Sequence, residues 1–143
     1  MKTNKIYRTS IKLVREEGKE YIIQTPNNVE ELAKDFLENE AQEVLLLIGL
    51  NVKNKVCDVF EVTRGCIDKS LCSPFEIFKR LLLSNCTRFV LAHNHPSGDE
   101  NPSDADVFVA KKIKEASKLL EIEMLDFIII GDRTFSFAEA CLI

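Results

Sequence analysis

Short apolar runs alternate with amphipathic helical segments along this chain, and that alternation restricts it to an α/β fold. Residues 44–48, 89–92 and 125–130 are nearly continuous apolar runs of strand length, as expected of strands buried on both faces. A sheet of this kind needs helices on each side. The sequence therefore predicts an α/β sandwich with a mixed central sheet.

Capping signals and apolar periodicity predict three helices. Residues 73–76 supply a serine N-cap, a proline at the first helical position and a glutamate three residues after the cap, which together mark a helix start. Another helix follows Thr25 and ends near Asn39, and a third covers about residues 103–120. The apolar faces of these helices are predicted to include Phe36, Leu82 and Leu120.

The remaining pattern completes one domain. Strands are predicted over residues 56–62 and 134–137, so the order is helix, strand, strand, helix, strand, helix, strand, strand. We assign residues 27–143 to a single domain, which suits a chain of 143 residues. Residues 1–26 are predicted to form an N-terminal arm or hairpin.

Composition narrows the class of function. The formal net charge is −4, which disfavours non-specific nucleic-acid binding because such binding requires many basic side chains. The five cysteines are odd in number and form no Cys-x-x-Cys pair, so most of them are expected to be buried thiols in a reducing compartment. We find no signal peptide or membrane span, and we expect a cytoplasmic protein.

Two histidines at the end of a predicted strand suggest a metal site. His93 and His95 are the only histidines of the chain, and residues i and i+2 of a strand point to the same side. Pro96 then ends the strand, and Asp106 lies in the first turn of the next helix. Two imidazoles and one carboxylate leave a fourth position open, as in catalytic zinc sites.

The spacing of residues in the sequence leaves two questions open. Ser103 and Asp106 also match a helix capping box, which is a purely structural role. A zinc hydrolase needs a general base as well, and both Glu43 and Glu61 are candidates because each lies in or beside a predicted strand.

The segment from His93 to Asp106 resembles the JAMM signature as found in the RadC family of bacterial JAB-domain proteins. It reads His-Asn-His-Pro-Ser-Gly-Asp, then Pro102-Ser103, then Asp106. Residues 73–78, 125–132 and 135–137 also resemble segments of that family. The resemblance covers about residues 27–143.

This resemblance implies a fold and a chemistry. The fold would be the cytidine-deaminase-like three-layer α/β/α sandwich of JAB/MPN domains. Zn²⁺ would be held by His93, His95 and Asp106, and Ser103 would hydrogen-bond the bound water or the developing oxyanion. The acidic residue of the family precedes the first central strand, so the resemblance selects Glu43 as the general base. The expected activity is that of a zinc-dependent metallopeptidase or isopeptidase acting on a peptide or protein.

Other functions fit the residues less well. Longer RadC proteins carry a helix-hairpin-helix region, and this chain is expected to be a short form without it; the alternative is a DNA-repair accessory or nuclease-like module without peptidase activity. Phe127 stands where the family often has histidine. Zinc deaminases use His-x-Glu and Pro-Cys-x-x-Cys, whereas His95 and Ser103 occupy those positions here. The intact signature also disfavours a metal-free scaffold.

Overall fold

The predicted order of elements is confirmed. The computed structural model describes residues 8, 10, 21–67 and 72–143. Within them lie three helices and five strands: α1 (Pro26–Leu37), β1 (Val44–Leu50), β2 (Val56–Arg64), α2 (Pro74–Leu83), β3 (Arg88–Asn94), α3 (Asp104–Leu120), β4 (Glu123–Ile130) and β5 (Thr134–Ser136). Most of the arm predicted over residues 1–26 lies outside the described residues, and it stays a prediction.

The five strands form one mixed sheet in the order β2-β1-β3-β4-β5. Strands β3 and β4 are parallel, and every other neighbouring pair is antiparallel. The connection between the parallel strands is α3. As a result, the N-terminal end of α3 lies near the end of β3, where both histidines are found.

Side-chain alternation along the strands divides the core into two layers. Leu45 and Leu47 of β1 pack in one cluster with residues of α2 and α3, whereas Leu46 and Ile48 pack in the other with residues of α1. Successive residues of a strand point to opposite faces, so each apolar strand contributes to both clusters. The three-layer α/β/α sandwich is therefore confirmed.

The predicted inward orientation of three apolar helix residues is wrong. Phe36, Leu82 and Leu120 are 49%, 59% and 46% exposed. Phe36 and Leu82 each adjoin a fully buried leucine, and a helix turns by about 100° per residue, so each lies beyond the edge of its buried stripe. Leu120 is the last residue of α3, where the helix leaves the sheet.

Two further observations concern the cysteines and the helices. Cys72 and Cys86 are buried as predicted, whereas Cys66 and Cys141 are exposed. Among the described residues, no helix has both the length and the apolar character required to cross a bilayer.

Candidate metal centre

The end of β3 brings both histidines to the face of the sheet that α3 covers. His93 is 1% exposed, and the side chain of His95 is 10% exposed. Their ring centroids are 5.0 Å apart and the ring planes are nearly perpendicular, at 88°. Two imidazoles in this arrangement can present nitrogens to one point.

The first turn of α3 adds a carboxylate to the pair. Ser103 is the N-cap, its Oγ accepts a hydrogen bond from the Asp106 backbone, and the Asp106 side chain accepts one from the Ser103 backbone in return. This capping box holds a fully buried carboxylate. Asp106 Oδ1 lies 3.0 Å from His93 Nδ1, and Oδ2 lies 3.1 Å from His95 Nε2. The structural role considered for Ser103 and Asp106 is thus present, and it aims the acid at both rings.

The Asp106 carboxyl is ionised at neutral pH. Burial alone would raise its pKa, but hydrogen bonds from His93 and from the Ser103 backbone favour the charged form and hold the pKa below its usual range. A buried negative charge thus lies between the two imidazoles.

Hydrogen positions at the rings follow from their partners. His95 Nδ1 lies 2.8 Å from the carbonyl oxygen of Asp99, which can only accept, so this nitrogen carries the hydrogen. A neutral His95 would then direct the Nε2 lone pair at the Asp106 carboxylate. That contact is repulsive unless a proton or a metal cation lies between the two atoms.

His93 also carries its hydrogen on Nδ1. Its Nδ1 donates to Asp106, and its buried Nε2 has no hydrogen-bond partner among the described residues. An unsatisfied buried nitrogen carries a free-energy cost, and a metal ion would remove it.

Glu43 reaches the histidines from the start of β1. Its Oε2 lies 3.9 Å from His93 Nε2, and its side chain is 34% exposed. Glu61, the other candidate base, is instead paired with Arg64 on the solvent side. The structure therefore brings Glu43 to the site and leaves Glu61 away from it.

The donor atoms lie at separations suited to a small cation. One ligand atom each from Glu43, His93 and His95 can be chosen so that all three are within 4.8 Å of one another. Two ligands of one tetrahedral zinc ion are about 3.3 Å apart, close to the 3.1 Å between His95 Nε2 and Asp106 Oδ2. This donor group contains Glu43 and not Asp106, so the assignment of His93, His95 and Asp106 as the ligands, with Glu43 and Ser103 as catalytic groups, stays a prediction.

Two turns fix the loop that follows His95. The His95 N–H donates to Ile130 O, Gly98 N–H donates to His95 O, and Asp132 N–H donates to Gly98 O. Gly98 has φ +86°, which suits glycine. A groove of about 700 Å³ runs past His95 between this loop and the end of α1.

A family model described as a RadC-like JAB domain matches residues 23–142. The chain belongs to the RadC-like JAB domain family. The resemblance seen in the sequence is thereby confirmed, and the five-stranded mixed sheet agrees with a JAB/MPN-type fold.

Two curated relatives of this RadC-like JAB domain carry the name UPF0758 protein. The one from Clostridium perfringens is 42% identical over 113 residues, which are 79% of this chain and 50% of the relative. The one from Chlorobium luteolum is 39% identical over 122 residues, which are 85% of this chain and 55% of the relative. The chain thus spans about half the length of the curated relatives it matches, and their names state no activity.

Two residues of this RadC-like JAB domain escaped sequence reasoning. Asn94, between the histidines, accepts a hydrogen bond from Val44 N and donates one to Gln42 O. Gly131 lies so close to the loop after His95 that a Cβ there would be 2.6 Å from Gly98 O. Both roles depend on contacts between distant segments, which sequence patterns do not reveal.

Proposed function

We propose that this domain is a zinc-dependent hydrolase that cleaves peptide or isopeptide bonds. The observation that carries the proposal is a pair of unsatisfied imidazole nitrogens: His93 Nε2 is buried without a hydrogen-bond partner among the described residues, and His95 Nε2 faces the Asp106 carboxylate, an arrangement that calls for a cation. Nitrogen and carboxylate oxygen donors suit zinc. A bound Zn²⁺ supplies Lewis-acid chemistry, because it lowers the pKa of water and polarises a carbonyl oxygen.

The ligands in this proposal are His93, His95 and Asp106. The Nδ1 hydrogen of His95 is engaged by Asp99 O, which leaves Nε2 as a donor to the metal. The Nδ1 of His93 faces Asp106, so the His93 ring must turn for His93 and Asp106 to bind the same ion. Asp106 compensates the charge of the cation within a buried setting. Three ligands from the protein leave room for water and substrate.

Glu43 has the position of a general base. A partly exposed carboxylate 3.9 Å from His93 Nε2 can take a proton from water beside the histidines and later give it to the leaving amine. Its partial exposure to solvent allows that exchange. The Ser103 hydroxyl accepts a hydrogen bond from Asp106 N and keeps its own hydrogen, which can be donated to a developing oxyanion.

The experiment measures metal content and bond cleavage together. The purified chain is loaded with Zn²⁺, assayed for stoichiometry, and screened against a library of peptides and isopeptide-linked lysine substrates, with DNA as a separate arm. We expect one Zn²⁺ per chain and cleavage of amide bonds. Glu43→Gln should retain Zn²⁺ and lose at least about 100-fold in turnover.

Glu61→Gln is the matched control because it makes the same chemical change on a neighbouring strand, at a residue paired with Arg64. It should leave turnover intact. Equal cleavage by Glu43→Gln and wild type would rule out Glu43 as the base. Unchanged Zn²⁺ binding in His93→Ala would refute the metal site, and cleavage of the DNA arm alone would replace the peptidase proposal with the nuclease one.

A further inference from the structure

Asn94 occupies the position between the two histidines, yet it points away from them. Residues i and i+2 of a strand share a face and residue i+1 takes the other. Its side chain is buried, with 5% of the residue exposed. It is therefore a polar group held at a junction between strands, and its hydrogen bonds show what it joins.

The Asn94 carboxamide spans the backbone on both sides of Glu43. Its Oδ1 accepts from Val44 N at 2.6 Å, and its Nδ2 donates to Gln42 O at 3.0 Å. Only one orientation of the amide satisfies both bonds, since the oxygen must face an N–H and the nitrogen a carbonyl. Glu43 is the residue between these two hydrogen-bonded backbone groups.

The two hydrogen bonds of the Asn94 side chain lie just beyond the end of the ladder between β1 and β3. The ladder between β1 and β3 stops at the pair Leu45 and His93, so the backbone of residues 42–44 lies beyond its last rung. On the other side, Gly65 N–H donates to Glu43 O at 2.8 Å. The Glu43 backbone is thus fixed by a main-chain bond from Gly65, just after β2, and the backbone on either side of it is held by one side chain of β3.

We infer that Asn94 is a positioning residue that holds the Glu43 carboxylate beside the histidines. The inference rests on the proposed function, because it assigns to Asn94 the placement of the proposed base. The histidine backbone belongs to β3 itself and is held by β1 and β4. Loss of the Asn94 side chain should therefore displace Glu43 more than it displaces His93 or His95.

The test uses Co²⁺ as a paramagnetic probe on the full chain. Glutamate carboxyl carbons are labelled with ¹³C, the Glu43 signal is assigned by its absence in Glu43→Gln, and the histidine rings are observed in the same samples. In wild type, Co²⁺ should broaden the signals of Glu43 and of both histidines. In Asn94→Ala, the histidine broadening should persist and the Glu43 broadening should be lost.

Asn51→Ala is the matched control. Asn51 also holds backbone through its side chain, accepting from Lys53 N and Lys55 N, but it lies at the opposite end of β1. This variant should lose stability and keep the Glu43 broadening. If Asn94→Ala does not fold, Asn94→Asp carries the comparison, because it keeps the volume and the acceptor for Val44 N but cannot donate to Gln42 O.

The outcomes separate the two proposals. Undiminished Glu43 broadening in the Asn94 variants would overturn the positioning role and leave the metal site standing. If Co²⁺ leaves the wild-type histidines unaffected, the metal site itself fails. The positioning role is then decided by crystal structures of metal-free wild type and variant: a Glu43 carboxylate that stays 3.9 Å from His93 Nε2 without Asn94 would refute it.

Discussion

At the scale of single residues, the absence of a side chain at Gly131 matters as much as the presence of the histidines. A Cβ at this position would lie 2.6 Å from Gly98 O and 2.8 Å from Glu100 N. Both are backbone atoms, which cannot rotate away as the end of a side chain can. The loop after His95 can adopt its path only because this glycine lets it approach the turn between β4 and β5.

Gly131→Ala should therefore weaken both the fold and the site. We expect a loss of about 1–3 kcal/mol in the free energy of unfolding from overpacking and Co²⁺ binding weaker by about 10–100-fold, as when supporting groups of a metal site are lost. Gly49→Ala is the control, because its Cβ would meet Cys86 Sγ at 2.5 Å, away from the histidines. Urea denaturation and calorimetric titration with Co²⁺ measure both effects, and equal metal affinity in the two variants would contradict the role given to the loop.

The cysteines provide a second prediction at this scale. Burial raises the pKa of the Cys86 thiol to about 11, whereas Cys66 and Cys141 are exposed. At pH 8 iodoacetamide should label Cys66 and Cys141 first and reach Cys86 only after denaturation, as peptide mass spectrometry can show. Because the folded pKa exceeds the ordinary value of about 8.5, this thiol stabilises the fold below about pH 8.5 and loses that contribution as pH rises through the folded value. Rapid native labelling of Cys86 would be inconsistent with its burial.

At the scale of elements, the first turn of α3 combines a cap with a reactive group. Ser103→Ala removes the acceptor for Asp106 N and should cost about 1 kcal/mol of the free energy of unfolding. If the hydroxyl also donates to an oxyanion, turnover on a cleaved peptide should fall by about 100–1,000-fold.

Ser73→Ala separates these two effects. Ser73 is the N-cap of α2 and accepts from Glu76 N, so its loss should destabilise the fold to a similar degree without slowing turnover. The two free energies come from urea curves and the two rates from the same peptide assay. Parallel losses of rate in both variants would assign Ser103 a capping role alone.

Elements with local signals were predictable from the sequence, and features that depend on pairing were not. The start of α2 follows from Ser73-Pro74 and Glu76, and the burial of β1 follows from its unbroken apolar run. The exposure of Leu82 could not be read from the sequence, because an apolar residue beside a buried stripe looks like part of it. The hydrogen bonds of Asn94 were equally hidden, since they join residues 42 and 44 to a strand about 50 positions away.

The site was predictable to a comparable extent. His93, His95 and Asp106 lie within 14 residues of one another, and their spacing alone suggested a metal. Spacing did not choose between Glu43 and Glu61; the resemblance to a family did, and the structure brings Glu43 to the histidines. The proton arrangement at His95 required the position of the Asp99 carbonyl, which no sequence pattern reveals.

At the scale of the whole molecule, metal binding and stability should be linked. A cation that binds only the folded chain stabilises it by about 2.7 kcal/mol when its free concentration is 100 times its Kd. Addition of Zn²⁺ should therefore raise Tm by several degrees, and EDTA should reverse the rise. His93→Ala should abolish the effect in differential scanning calorimetry. An equal rise in that variant would show that Zn²⁺ acts elsewhere, for example on the exposed thiols.

The pairing of β1 with β3 determines the order in which the residues of the site come together during folding. The histidines and Asp106 are separated by at most 13 positions along the chain, so they can come together by closing one short loop, an event of about 10–100 ns. Glu43 can join them only after a loop of about 50 residues has closed and the sheet has formed, which is slower because non-local contacts cost more chain entropy. A refolding chain should thus acquire affinity for a cation before it acquires the base, and the interval between the two events measures the formation of the central strand pair.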